Sequence, residues 1–104
     1  MLLTTTDVLP DKEIAETLGM VKGQVVRAKH IGKDIMAGMK NLVGGEVKSY
    51  TDMLSESRKI ATDRMIEEAE KLGADAIIGI RYGSSEVMEG TSEMLAYGTA
   101  VKLK

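Results

Sequence analysis

The sequence contains no cysteine, no phenylalanine and no tryptophan, and it has one proline and one histidine. Without cysteine the chain can form no disulfide, no zinc finger and no thiol-based active site. Large aromatic rings normally supply much of a buried core, so here the volume has to come from Leu, Ile, Val and eight Met residues. The 104 residues make one domain by length. A core of this kind is marginal on its own, and association is one usual remedy.

Long apolar stretches are also missing. No run approaches the roughly 18 apolar residues that a membrane-spanning helix needs. Residues 1–21 have neither the basic start nor the long apolar stretch of a secretory signal. We therefore expect a soluble, cytoplasmic protein.

The net charge of −2 is unevenly distributed along the chain. Residues 1–21 and 49–104 each carry −3, whereas residues 22–48 carry six bases against two acids, or +4. Such a segment can bind a polyanion, or it can face acidic parts of a sister subunit. Nucleic acid is disfavoured as a partner because the segment has almost no aromatic side chains for base stacking.

The N-terminal third predicts two strands. Residues 2–6 read as a short edge strand that Asp7 and Pro10 terminate. Residues 20–28 read as a second strand, because their valines favour extended backbone, and Gly23 marks a bulge or a close contact. Residues 13–18 fit either one helical turn or an irregular strand.

Two helices are predicted next. Apolar residues recur at helical spacing over 33–43, with Asp34 in the first turn and Gly44 placed as the C-terminal cap. A longer helix is predicted from Ser49, a candidate N-cap, to a stop at Gly73.

The C-terminal third predicts two more strands. Residues 76–81 read as a strand buried on both faces, and residues 94–103 alternate large side chains with the small set Ala96, Gly98 and Ala100. A face of small residues implies close packing against it. Residues 83–92 are assigned to the turn between these strands. The order β-β-α-α-β-β predicts one α+β domain over 1–104, with two helices packed on an antiparallel or mixed sheet.

At this point the chain resembles a known family, the YbjQ-like small bacterial proteins, which are described as heavy-metal-binding domains. The resemblance runs in order through nearly the whole chain, in these segments: Leu18-Gly19-Met20-Val21-x-Gly23, Asp34-x-x-Ala37-Gly38, Leu42-Val43-Gly44-Gly45, Tyr50, Arg58-Lys59-Ile60-Ala61, Glu68-Ala69, Leu72-Gly73-Ala74-Asp75-Ala76-Ile77-Ile78-Gly79 and Gly98-Thr99-Ala100-Val101. It implies a compact α+β subunit that assembles into a ring, typically a pentamer. It implies no established activity, and a metal ion only through the family's description.

Two departures from the family pattern bear on that description. Some relatives carry a cysteine in the N-terminal glycine-containing strand, where this chain has Leu18. The segment 28–34 also lacks the phenylalanine that relatives place there, and it has His30 where asparagine is usual.

Few side chains suit a metal. His30 could coordinate one with Asp34, or bind an anion with Lys29 and Lys33, but a metal site usually needs three or four ligands, and a surface or interface histidine is favoured. Met36 and Met39 have the spacing of a soft thioether pair for Cu(I), although the same spacing suits a core-facing helix. A third group, Glu86, Glu89 and Glu93, lies around the assigned turn and fits a solvated charged turn better than a Ca²⁺ loop.

No catalytic constellation is found. The glycines form neither of the nucleotide-binding fingerprints, and no nucleophile can be paired with a base. Asp75 fits a helix-to-strand turn as well as a perturbed carboxylate. We therefore expect a non-enzymatic, ring-forming homo-oligomer, a pentamer, that binds a small ligand, metal ion or protein partner between subunits. An enzyme whose site forms only between subunits, or a purely structural scaffold, are the alternatives. The candidate ligand or interface residues are His30, Lys33, Asp34, Gly44, Gly45, Tyr50, Asp75 and Gly98.

Overall fold

In the computed structural model, residues 1–28 and 48–104 are described, and they form four strands and one helix. In chain order these are β1 (Leu2–Leu3), β2 (Ile14–Ala28), α1 (Lys48–Lys71), β3 (Ala76–Met88) and β4 (Thr91–Leu103). The sheet order is β1-β3-β4-β2, with β1 parallel to β3 and the other two pairs antiparallel. The α+β class and the mixed sheet are thus confirmed.

The prediction of two helices is confirmed only for the second one. The described residues contain one helix, α1, and the predicted helix over 33–43 lies outside them, as does its cap Gly44. Helix α1 begins at Lys48 rather than after Ser49, so the N-cap assignment to Ser49 is wrong.

The C-terminal end of α1 is as predicted. Gly73 has a positive φ of 77°, which an L side chain adopts only with strain. Its N–H donates to the carbonyl of Glu70 (3.0 Å), and the N–H of Ala74 donates to the carbonyl of Ala69 (3.1 Å). This pair of bonds is a Schellman motif, which satisfies helix carbonyls that would otherwise lack a donor and turns the chain straight into β3.

Strand boundaries differ from the sequence expectation in several places. Strand β1 is shorter than the predicted 2–6. Strand β2 starts at Ile14, so the ambiguous residues 13–18 are mostly strand. The strand is irregular there, because its register with β4 shifts between Ile14 and Glu16 and again between Thr17 and Gly19. This confirms the irregular-strand alternative for residues 13–18.

The predicted turn over 83–92 is wrong. Strands β3 and β4 continue as a long hairpin, and only Glu89 and Gly90 connect them, with Gly90 at a positive φ of 80°. Serine, glycine and glutamate have low strand propensity, but strand propensity depends strongly on context. Here the cross-strand register, from Gly83 opposite Leu95 to Glu86 opposite Ser92, holds the segment extended.

Helix α1 packs on one face of the sheet at very short range. Its buried residues Ala61, Met65 and Ala69 join Val21 and Val25 of β2 in the main core. A Cβ added to Gly23 would collide with the carbonyl oxygen of Ala61 and lie 2.5 Å from the amide nitrogen of Met65. The predicted close contact at Gly23 is therefore confirmed, and it is a contact between strand and helix backbones.

The small residues of β4 are covered within the same chain. Ala96 and Ala100 are buried in the main core beside α1, and a Cβ on Gly98 would lie 2.8 Å from Cγ2 of Ile77 and 3.0 Å from the carbonyl oxygen of Ile78. The expectation of close packing on this face is confirmed. Since α1 and β3 supply that packing, the small face gives no support for a neighbouring subunit.

A second, smaller core lies on the other face of the sheet, at the β1 end. There Ala76, Ile78 and Val101 are buried under Leu9, with Ile14 and Leu103 alongside. The segment after β1 is tied down by backbone bonds, since the N–H of Gly79 donates to Thr6 (2.8 Å) and the N–H of Ile80 to Thr4 (3.1 Å). The N-terminal segment thus covers only this end of the face.

Candidate functional site: the uncovered face of the sheet

Within residues 1–28 and 48–104, the sheet face opposite α1 is covered only at the β1 end, by the N-terminal segment. The rest of this face, here called the uncovered face, exposes apolar side chains. Along β2 the buried Val21 and Val25 point to the helix, so the alternate residues point away from it. Among these, Met20 is 74% exposed and Val26 is 55% exposed. On the adjacent β4, Tyr97 is also exposed. Exposed apolar side chains alternate here with the polar residues Lys22 and Gln24, a mixture that suits a protein–protein contact.

A row of three polar or aromatic residues crosses this face. Lys22 lies opposite Tyr97, and Tyr97 lies opposite Arg81 of β3. Because the side chains of directly opposite residues are neighbours on one face of a sheet, these three side chains form a row. The Arg81 Nη1 donates to the carbonyl oxygens of Thr5 (2.9 Å) and Ile80 (2.8 Å). The row places one cationic side chain on each side of the Tyr97 ring, an arrangement that suits an acidic surface or an anionic group.

The next polar row ties the distal part of the hairpin to β2. Glu93 of β4 accepts a short hydrogen bond from the Gln24 side chain, and the Ser85 hydroxyl donates to Glu93 at 3.5 Å. This carboxylate is therefore engaged within the sheet.

The sequence predicts that Glu86, Glu89 and Glu93 surround one solvated charged turn, in preference to a Ca²⁺ loop, and the structure separates them. Ser85 is opposite Glu93, whereas Glu86 is opposite Ser92, so Glu86 and Glu93 lie on different faces of the hairpin. Glu89 lies in the two-residue connection. Within residues 1–28 and 48–104, no three His, Asp or Glu side chains come close enough together to hold a metal ion.

Most of the candidate residues lie outside the described ranges. These are His30, Lys33, Asp34, Met36, Met39, Gly44 and Gly45. Tyr50 is in the first turn of α1, and Gly98 lies in β4 against β3, so neither belongs to the uncovered face as the structure places it.

Asp75 has a structural position. Its backbone N–H donates to the carbonyl of Val101 (2.9 Å), and its carboxylate accepts the N–H of Leu103 (2.9 Å). The carboxylate thereby fastens the end of β4 to the turn between α1 and β3. This is the turn role that the sequence offered as one alternative.

Sequence reasoning missed the row of Lys22, Tyr97 and Arg81. The alternation along 94–103 placed Tyr97 on the face opposite the small residues, which was one usable signal. Lys22 and Arg81 could not be aligned with it, because the strand order and register are not written in the local pattern. No helix among the described residues combines the length and the apolar character needed to cross a membrane.

Comparison with known proteins finds a matching family model and several similar proteins. A family model described as "Putative heavy-metal-binding" matches residues 1–104. A UPF0145 protein of Fervidobacterium nodosum is 64% identical over 104 residues, covering 100% of this chain and 96% of the relative. One of Vibrio parahaemolyticus is 58% identical over 103 residues, covering 99% and 98%.

The family extends beyond bacteria, because a UPF0145 protein of Archaeoglobus fulgidus is 56% identical over 104 residues, covering 100% of this chain and 96% of the relative. Among solved structures, a protein of unknown function from Pediococcus pentosaceus, assigned to the DUF74 family, superposes with a TM-score of 0.67. It covers 100% of this chain and 98% of the other at 18% identity, which supports the fold alone. By the full-length family match and the identities of 56–64%, the chain belongs to the YbjQ-like, UPF0145 family.

Proposed function

We propose that this chain is a non-enzymatic binding protein that works as a closed ring of identical copies, a pentamer, and holds a small ligand, metal ion or protein partner where copies meet. The observation that carries the proposal is the uncovered face of the sheet. It exposes Met20 and Val26 of β2 and Tyr97 of β4, and burying such side chains contributes about 25 cal/mol per Å² of apolar area.

Composition supports a second copy as what covers this face. A 104-residue chain without Phe or Trp has little large apolar volume for its own core. Within the described residues, α1 covers only one face of the sheet and the N-terminal segment covers one end of the other. A neighbouring subunit would complete the burial.

The ligand chemistry that fits this face is anionic. Lys22 and Arg81 flank Tyr97 across three strands, and a cation pair in a partly buried interface attracts carboxylate or phosphate groups. The same pair could receive acidic residues of the neighbouring copy. In both cases the Lys22 and Arg81 side chains would bind their anionic partner only in the assembled oligomer.

Substitutions on the face test the proposal. Met20→Lys and Val26→Lys add a charge at exposed positions, so each subunit should fold while the oligomer dissociates. Leu72→Lys is the matched control, because Leu72 is also an exposed apolar residue (46%) but follows α1 rather than lying on the sheet face. Light scattering on a sizing column should show a reduced mass for the first two variants only. An unchanged oligomer mass in Met20→Lys and Val26→Lys would contradict the proposal.

A second function is supported by the family's description as heavy-metal-binding. This chain has no thiol and one imidazole, and the only soft donors besides His30 are methionines. The candidate ligands are therefore Met36 and Met39, which suit Cu(I), and His30, which suits a borderline metal; elemental analysis of the variants distinguishes them.

A further inference from the structure

The two outer edges of the sheet differ in how their backbone groups are satisfied. On β2, the N–H of Lys22 donates to Oε1 of Glu68 (3.3 Å), and the carbonyl of Gln24 accepts a bond from Nη1 of Arg64 (2.6 Å). Side chains of α1 therefore cap the middle of this edge, which is a usual protection against unwanted strand pairing.

The outer edge of β3 has no such protection over its distal half. Near its start it pairs with β1, at Ala76 and Ile77, and the N–H of Ile80 donates to Thr4. Beyond Ile80, no strand or side chain in the described part of the chain bonds to the outer backbone edge of β3. All residues from Arg81 to Glu89 are exposed.

The open stretch has definite ends. Lys22 and Gln24 of β2 direct backbone groups away from β4, so Gly23 bonds to the opposite Ala96, and the neighbouring Leu95 and Tyr97 bond towards β3. Their opposites on β3 are Gly83 and Arg81. Beyond the irregularity between Ile78 and Arg81, the outward-pointing backbone groups of β3 therefore belong to Tyr82, Ser84 and Glu86. After Glu86 the register with β4 shifts, because Glu86 lies opposite Ser92 and Met88 opposite Thr91. The regular, unpaired edge is therefore 82–86, five residues centred on Ser84.

We propose that this edge pairs antiparallel with the same edge of a second copy, with Ser84 facing Ser84 across a two-fold axis. In this register Tyr82 of each chain lies opposite Glu86 of the other, and Gly83 lies opposite Ser85. The paired backbones exchange hydrogen bonds at Ser84 and at both Tyr82–Glu86 pairs. The two four-stranded sheets become one continuous sheet.

Register and charge both favour this arrangement. A shift by two residues in one direction would need the backbone of Ile80, which already bonds to Thr4. A shift in the other direction would run across the irregularity after Glu86. The stretch carries one charge, Glu86, and centring on Ser84 sets it opposite a neutral tyrosine, so like charges do not face each other.

The capped edge argues against the head-to-tail alternative. Pairing β3 of one copy with β2 of the next would displace the bonds from Glu68 to Lys22 and from Arg64 to Gln24. A two-fold contact is isologous and needs only the uncapped edge. It is separate from the cyclic contact proposed above, and a ring that made both contacts would join a second ring.

A single-cysteine pair tests the register, since the natural chain contains no cysteine. In an antiparallel hydrogen-bonded pair the opposite Cα atoms are about 5.5 Å apart, within disulfide range, so Ser84→Cys should cross-link on mild oxidation. Ser85→Cys is the matched control, equally exposed and adjacent. Two such cysteines would be about 8 Å apart, beyond the range of a disulfide.

Denaturing, non-reducing gels at several protein concentrations give the result without reference to any ring. We expect the dimer band of Ser84→Cys to exceed that of Ser85→Cys several-fold and to vanish on reduction. Equal cross-linking of the two variants, or none in either, overturns the proposal.

A proline variant supplies an independent measurement. Ser84→Pro removes an outward N–H that does not bond to β4, a position where an edge strand tolerates proline. The variant should keep the far-ultraviolet circular dichroism spectrum of the natural chain. Sedimentation velocity should show that it loses the two-fold contact, so that the largest species falls to half its mass. A folded Ser84→Pro variant with unchanged mass overturns the proposal.

Discussion

Nη1 of Arg64, in the middle of α1, donates a hydrogen bond of 2.6 Å to the main-chain carbonyl oxygen of Gln24 in β2. One turn further along the helix, Glu68 accepts the N–H of Lys22 at 3.3 Å. These two side chains satisfy one outward N–H and one outward carbonyl in the middle of the long edge strand β2. Helix α1 therefore packs on one face of the sheet and also hydrogen-bonds to the nearest sheet edge.

Removing the side chains of both Arg64 and Glu68 should make the protein aggregate. In the double variant Arg64→Ala, Glu68→Ala the outward groups of Lys22 and Gln24 lose their partners, and an unpaired edge promotes intermolecular strand pairing. Both side chains are exposed, so we expect the fold to survive while turbidity on incubation rises. The matched control is Lys59→Ala, Asp63→Ala, which removes an exposed pair (3.1 Å) elsewhere on α1. Equal turbidity in the two double variants would contradict this role.

Gly23→Ala should destabilise the fold. The added methyl group would collide with the helix backbone at Ala61 and Met65, and both elements would have to move apart. Overpacking of a core typically costs about 1–3 kcal/mol. Urea unfolding at a fixed protein concentration should show a lower midpoint.

Gly83→Ala is the control for that substitution. A Cβ at Gly83 meets nothing within 4 Å, and replacing glycine inside a strand by alanine stabilises by about 0.5–1 kcal/mol. We expect an unchanged or higher midpoint. A loss of stability at Gly83 equal to that at Gly23 would show that the close strand–helix contact is not the cause.

Local signals predicted a large part of the fold. Helical periodicity and Gly73 located α1 and its end, and the valines of 20–28 located most of β2. The turn at 83–92 was wrong, because Ser84, Ser85 and Glu86 have low strand propensity and are held extended by pairing with β4, which no local pattern shows.

The site was harder to predict from sequence. The alternation along 94–103 predicts the small face of β4 and close packing on it, but it does not show what packs there, which is α1 of the same chain at Ala96 and Ala100. It follows that Gly98→Val, which would strike Ile77 and Ile78, should unfold the subunit itself and is no test of assembly.

The metal content of the purified protein should show whether the family's description as heavy-metal-binding applies to this chain. Because the chain has no thiol and one imidazole, untagged protein after dialysis should contain no stoichiometric zinc or cadmium by elemental analysis. A stoichiometric borderline metal that is lost in His30→Ala would contradict this expectation. Copper alone, lost in the double variant Met36→Leu, Met39→Leu, would instead establish the methionine site.

Salt should reveal what the +4 segment at 22–48 faces. If it contacts acidic parts of a neighbouring copy, raising the ionic strength weakens that attraction, and we expect the oligomer mass by light scattering to fall at high salt. If it binds a polyanion, the oligomer persists while binding to heparin or DNA weakens steeply with salt. Strong, salt-sensitive DNA retention by an intact oligomer would count against the assembly role.

Native mass spectrometry of the unmodified protein tests most directly whether the uncovered sheet face makes this chain a closed assembly of identical copies. Association completes the burial that a subunit without Phe or Trp lacks, and cyclic closure ends the association at a fixed number. At micromolar concentration we predict a single oligomeric mass, that of a pentamer or of two pentamers joined at the β3 edges, which Glu89→Ala in the exposed hairpin connection leaves unchanged. A well-folded monomer of 11.2 kDa as the dominant species would contradict the account.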